Sequence, residues 1–136
     1  MVVTMHADNR WKQRFQHFER SLRVLEEVAS IESPSLGEKM GTIQAFEICF
    51  ELAWKTLADF FKEQGYQLAG PKDVLKQAFT DGIVTQGHMW MQALESRNFT
   101  VHAYDEATTN TIADNIRASY LPILKELLNV LYEKYK

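Results

Sequence analysis

The sequence predicts an all-α fold, an antiparallel up-and-down bundle of four to five helices. Apolar residues recur at helical spacing along most of the chain, and helix start and stop signals separate the periodic stretches. The alternation that a half-buried strand needs never persists. At 136 residues, 46% hydrophobic and 24% charged, the chain has the size and composition of a single folded domain over 1–136.

The first helix is expected over 11–29, where Trp11, Phe15, Phe18, Leu22, Leu25 and Ala29 fall on one stripe. A loop follows through "SIESPSLG". Ser35 and Glu38 then match a capping box, in which each side chain takes a free backbone N–H of the first turn. The second helix runs to about Gln64, with Ile43, Phe46, Phe50, Ala53, Trp54, Leu57 and Phe61 inward and Gly65 as its left-handed stop. On its outer face Glu51 and Lys55 form an i,i+4 pair of the favourable polarity.

A short third helix opens with Pro71 at its first position and closes before Gly82. The Asp81-Gly82 dipeptide follows helical periodicity, so it marks a helix end rather than a hairpin. A fourth helix is expected through "TQGHMWMQALES", capped by Thr85. The last runs from about Asp105 to Tyr132 on a stripe of Ile112, Ile116, Tyr120, Ile123, Leu127 and Leu131, with a kink at Pro122.

Composition and motifs exclude most function classes. No apolar run approaches the ~18 residues of a membrane span, and "MVVTMHADNR" lacks the apolar middle of a signal peptide. The lone Cys49 forms no internal disulfide and suits a reducing compartment, so a cytoplasmic protein is expected. A net charge of −3 disfavours a general nucleic-acid coat while leaving room for a local basic site. There is no glycine-rich phosphate loop, no GxSxG elbow, and no HExxH or CxxC pair. The histidines at 6, 17, 88 and 102 lack metal-site spacing, so neither a metal nor another cofactor is expected. Cys49 lies beside core positions and reads as a small buried hydrophobe. Met89, Trp90 and Met91 read as core, or alternatively as a protein–protein surface.

One stretch does not fit the bundle. In "SRNFTVHAYDE", residues 96–106, Arg97, Asn98, His102, Tyr104 and Asp105 crowd together outside any clear stripe. Residues five apart on a continuous helix point about 140° away from each other. On a strand, Arg97 and His102 would face opposite sides. Either the helix breaks here or the side chains meet their copies in a second subunit. The plain alternative is a helix junction with Asp105 capping the following helix.

"EKMGTIQAFEICFELAWKTLADFFKEQG", "GPKDVLKQAFTDGIV" and "MWMQALESRNFTVHAYDE" together resemble the nucleotidyltransferase substrate-binding protein family. That family lies within the HEPN superfamily and includes the HepT toxins of MNT/HEPN toxin–antitoxin pairs. The resemblance covers nearly the whole chain after about residue 9. It implies a HEPN-like fold, a homodimer, and a metal-independent endoribonuclease whose signature is an Arg, a polar residue, three further positions and a His. Here that is Arg97-Asn98-Phe99-Thr100-Val101-His102, extended by Ala103 and Tyr104 as in the toxin subgroup. It assigns catalysis to Arg97 and His102, substrate positioning to Asn98, and AMPylation by a partner MNT-type nucleotidyltransferase, the antitoxin, to Tyr104. The expected partners are therefore a second copy, that transferase and an RNA substrate. The same resemblance allows a noncatalytic subunit that presents a substrate to the transferase. A helical dimerisation domain without an active site is the third possibility, and for Tyr104 the plain alternative is packing at a helix start with a hydrogen-bonded hydroxyl.

Overall fold

In the computed structural model the backbone is described over 2–99 and 105–136, and the side chains over 10–99 and 105–136. All the regular structure among these residues is helical: α1 (Val2–Ala29), α2 (Leu36–Glu63), α3 (Pro71–Thr80), α4 (Gly87–Phe99), α5 (Glu106–Asn115), a π-helical segment (Ile116–Tyr120) and α6 (Leu121–Tyr135). The last three run on without a break, so the bundle has the five helical units that periodicity predicts.

The α1 and α2 stripes meet in one buried cluster that also takes side chains from every later helix. Phe18, Leu22 and Leu25 of α1 and Phe46, Phe50, Leu57 and Phe61 of α2 are fully buried. Burying each such side chain is worth roughly 1.5–3 kcal/mol, and this holds the amphipathic helices together. Trp54 is less deeply placed than its spacing predicts: it packs at the edge of the core, with Lys55 Nζ 6.0 Å from its ring centre.

Polar pairs fix the helix directions. Arg14 Nε lies 2.8 Å from Asp59 Oδ2, joining the middle of α1 to the last turns of α2, and with only residues 30–35 between the helices the two are antiparallel. Lys125 reaches Glu26 at 3.4 Å, and Gln16 Nε2 donates to the Tyr135 hydroxyl at 2.8 Å. These contacts make α6 antiparallel to α1 as well.

The local signals perform as chemistry dictates. Glu38 N–H donates to Ser35 Oγ at 3.1 Å and Ser35 N–H to Glu38 Oε1 at 2.8 Å, completing the capping box. Gly65 has φ +94°, and the Tyr66 N–H donates to the Phe61 carbonyl while the Gly65 N–H donates to Lys62, a Schellman stop. The Tyr66 and Phe61 rings then close the motif at 5.4 Å. Gly82, at φ +77°, ends α3 the same way, with the Ile83 N–H on the Ala78 carbonyl.

Helix α1 begins earlier than expected, at Val2 rather than near Trp11, and three further expectations change. Thr85 does not cap α4. That helix begins at Gly87, the Trp90 N–H takes the Gln86 carbonyl, and Thr85 Oγ1 donates instead to Glu126 Oε1 at 2.9 Å. A long-range acceptor on α6 has outcompeted the local cap. Helix α4 also continues past Ser96 to Phe99, so Arg97 and Asn98 belong to its last turn. Finally, the strain expected as a kink at Pro122 is met by the π-helical segment. There the Leu121 N–H reaches back to Ile116, widening the turn just before a residue that has no N–H to give.

Candidate functional site

Helix α4 carries Arg97 and is anchored on two sides. Trp90 and Ala93 bury one face, with the Trp90 ring 5.9 Å from Phe50. One residue before Arg97, Ser96 Oγ and the Tyr120 hydroxyl share a hydrogen bond of 2.7 Å. Tyr120 closes the π-helical segment, is fully buried, and stacks on Phe46 at 5.4 Å. The wider turn therefore places a phenol under the end of α4. Single-turn π segments of this kind often accompany functional positions.

Arg97 emerges half-buried from this anchored turn, its cationic charge well placed at a helix C-terminus. Its Nε lies 3.4 Å from Glu51 Oε2 on α2, and Glu51 Oε1 lies 3.5 Å from Lys55 Nζ. The expected Glu51–Lys55 pair is present, but its carboxylate is shared with a guanidinium from another helix. Asn98 and Phe99 are exposed on the same final turn. A hollow of about 470 Å³ opens beside it, lined among others by Ser96, Phe99, Thr108 and Asn115. It lies between the end of α4 and α5.

Asp105 does cap α5. Its Oδ1 accepts the Thr108 N–H at 2.7 Å and its Oδ2 the Thr108 hydroxyl at 3.1 Å. The Thr108 backbone N–H, with the Thr108 hydroxyl second, holds this carboxyl below the usual carboxylate range. Helix α4 is described as far as Phe99, and α5 begins at Glu106 after an extended Asp105. The signature begins in the last turn of α4. His102 and Tyr104 lie outside the described residues.

The other candidates take their plain roles. Cys49 is buried, and burial above all pushes its thiol up to about 12, which makes it a poor nucleophile. Among the described residues no group of three His, Cys, Asp or Glu side chains could hold a metal ion, and no helix is long and apolar enough to cross a membrane. Trp90 is core, while Met89 and Met91 line a groove of about 720 Å³ between α3 and α4. Spacing does not single out Glu51, Ser96 or Tyr120 as site residues: Glu51 pairs locally with Lys55, and Tyr120 is one stripe position among several. Both contacts join helices far apart in sequence, and no local pattern announces them.

The described residues form a helical bundle that presents an arginine from the last turn of an anchored helix. The chain belongs to the nucleotidyltransferase substrate-binding protein family: the model described as "Nucleotidyltransferase substrate binding protein like" matches residues 13–133. It is 31% identical over 71 residues to the "Probable ribonuclease HepT" of Haemophilus influenzae (strain ATCC 51907 / DSM 11121 / KW20 / Rd), a match covering 48% of this chain and 49% of that one. The chain therefore spans about half the length of this curated relative in that match. A Thermus thermophilus protein of known crystal structure shares the fold, with a TM-score of 0.74 and 30% identity over 88% of this chain and 98% of that chain.

Proposed function

We propose that this protein is a HEPN-type metal-independent endoribonuclease, the toxin of a two-gene toxin–antitoxin system. The observation that carries the reading is the placement of Arg97. It stands at the exposed end of an anchored helix, five residues before His102, in a family with a relative named as a ribonuclease.

The chemistry suits these residue types. The RNA's own 2′-hydroxyl attacks the adjacent phosphorus, and its proton passes to a base. The bond from phosphorus to the 5′-oxygen breaks, and that oxygen takes up a proton. The products are a 2′,3′-cyclic phosphate and a 5′-hydroxyl. His102 fits the proton transfers, because imidazole exchanges protons near neutral pH. Arg97 stays charged and offers a planar fork to the oxygens that gain charge in the transition state. Asn98, exposed one position further on, positions the substrate. Two protomers pool these groups in a shared cleft, so a single chain need not align them all.

Tyr104 is the silencing point. Its phenol oxygen gives up its proton to a base and attacks the α-phosphorus of ATP in the partner nucleotidyltransferase, and pyrophosphate departs. The attached AMP fills the cleft beside His102, and its negative charge repels RNA phosphate.

The experiment is cleavage of cellular RNA by purified protein freed of its partner and of tyrosine modification. Unsubstituted protein should cut, and His102→Ala should abolish cutting with little change in thermal stability. Intact RNA after prolonged incubation would end the nuclease reading. The family's description favours a second reading, a noncatalytic subunit presenting a substrate to the transferase. In that case no cleavage is seen, yet a complex with the transferase encoded beside it forms and alters its activity.

A further inference from the structure

Glu51 stands out because it serves no core and no cap, yet it joins two helices at the proposed site. Its carboxylate meets Arg97 at 3.4 Å through Nε, the guanidinium nitrogen nearest the stem. An ion pair there favours arrangements in which the guanidinium stays turned toward α2. The second oxygen of the same carboxylate faces Lys55 at 3.5 Å, so Glu51 is itself steadied within α2. Ser96 and Tyr120 hold the helix beneath Arg97 from the other side. Arg97 is thus supported by its backbone through the π-helical segment and by its side chain through α2.

We infer that Glu51 is a positioning residue for Arg97, aiming the guanidinium at the scissile phosphate while its own charge opposes RNA binding. The inference rests on the nuclease reading given above. Its two halves come from one geometry. Both side chains are about one-third exposed, so water weakens the pair and the arginine can still turn toward an arriving phosphate. Orientation of a charge-stabilising group acts on the chemical step, because misplacement by about 1 Å can cost up to ~100-fold in rate. A carboxylate within a few ångströms of the phosphate-binding group raises the energy of bound RNA, an effect that salt screens. Removing the charge should therefore shift the two kinetic constants in a way that simple destabilisation cannot.

The test compares unsubstituted protein with Glu51→Gln and Glu51→Ala on a defined single-stranded RNA. Binding is measured separately on a fully 2′-O-methylated RNA of the same sequence, which the 2′-hydroxyl mechanism cannot cut. Glu51→Gln should lower kcat about tenfold and tighten binding of the methylated RNA about threefold at low salt, with the binding gain fading at high salt. Glu51→Ala, which loses the side chain as well as the charge, should lose at least as much kcat. Glu26→Gln removes an inter-helix pair of the same 3.4 Å separation on α1 and α6 and should change neither constant. If unsubstituted protein cuts and Glu51→Gln matches it in both constants, Glu51 has no positioning role and the nuclease reading stands. A kcat loss with unchanged or weaker binding of the methylated RNA would equally overturn the inference. If unsubstituted protein never cuts, the nuclease reading fails and this inference fails with it.

Discussion

The hydrogen bond between Ser96 and Tyr120 is one of the structural links between the core and the candidate site, and Tyr120→Phe removes it with little other change. The ring, its burial and its stacking on Phe46 at 5.4 Å all remain. What is lost is a 2.7 Å hydroxyl–hydroxyl contact. A typical intramolecular hydrogen bond contributes about 0.5–1.5 kcal/mol net. Ser96 is only half-buried, so its hydroxyl recovers part of that from water. The expected cost is about 1 kcal/mol, in the middle of that range. For a chain of this length it lowers Tm by roughly 3–5 °C. Tyr120→Ala also removes the buried ring and should cost about 3–5 kcal/mol. Urea unfolding followed by circular dichroism measures both. The midpoint should move while the slope m stays constant, because the surface exposed on unfolding hardly changes. The functional half is sharper. Losing about 1 kcal/mol from a stability of ~5–15 kcal/mol leaves nearly every molecule folded. Any fall in RNA cleavage by Tyr120→Phe at 25 °C then reports a loosened α4 terminus rather than unfolding. An unchanged midpoint together with unchanged cleavage would refute the claim that this bond holds Arg97 in place.

Two further outcomes test the fold itself. Gly65→Ala puts a side chain at φ +94° in open space, so backbone conformation alone decides the cost; a destabilisation of about 1–2 kcal/mol is expected in the same urea titration. Cys49, buried with its thiol pushed up to about 12, should resist iodoacetamide in native protein at pH 8 and react fully in urea, as read by intact mass.

The sequence was most legible where structure is decided within a few residues. The capping box at Ser35, the stops at Gly65 and Gly82, Pro71 at the start of α3 and the cap at Asp105 are all short-range devices, and all form. Stripe positions such as Phe18, Phe46 and Leu127 are buried because helical period alone selects one face. What failed was decided by distant partners. Thr85 has the chemistry of a cap, but Glu126 on α6 lies within reach and takes its hydroxyl. Pro122 signalled strain, yet the spacing could not show that the chain would widen a turn at Ile116–Tyr120 and thereby set Tyr120 beneath Ser96. Of the candidate site, residue type picks out Arg97 and Asn98, and the roles proposed for them come from the family resemblance alone. The Arg97–Glu51 contact spans 46 positions (51 to 97) and is invisible to any local pattern.

The central claim is that Arg97 and His102 direct the RNA's own hydroxyl against its neighbouring phosphate. The most direct measurement is the chemistry of the ends left by unmodified protein cutting a defined RNA in excess chelator. The account predicts a 2′,3′-cyclic phosphate on one fragment and a 5′-hydroxyl on the other, both absent with Arg97→Ala. Fragments ending in 3′-hydroxyl and 5′-phosphate, or cleavage that stops once chelator is added, would contradict it.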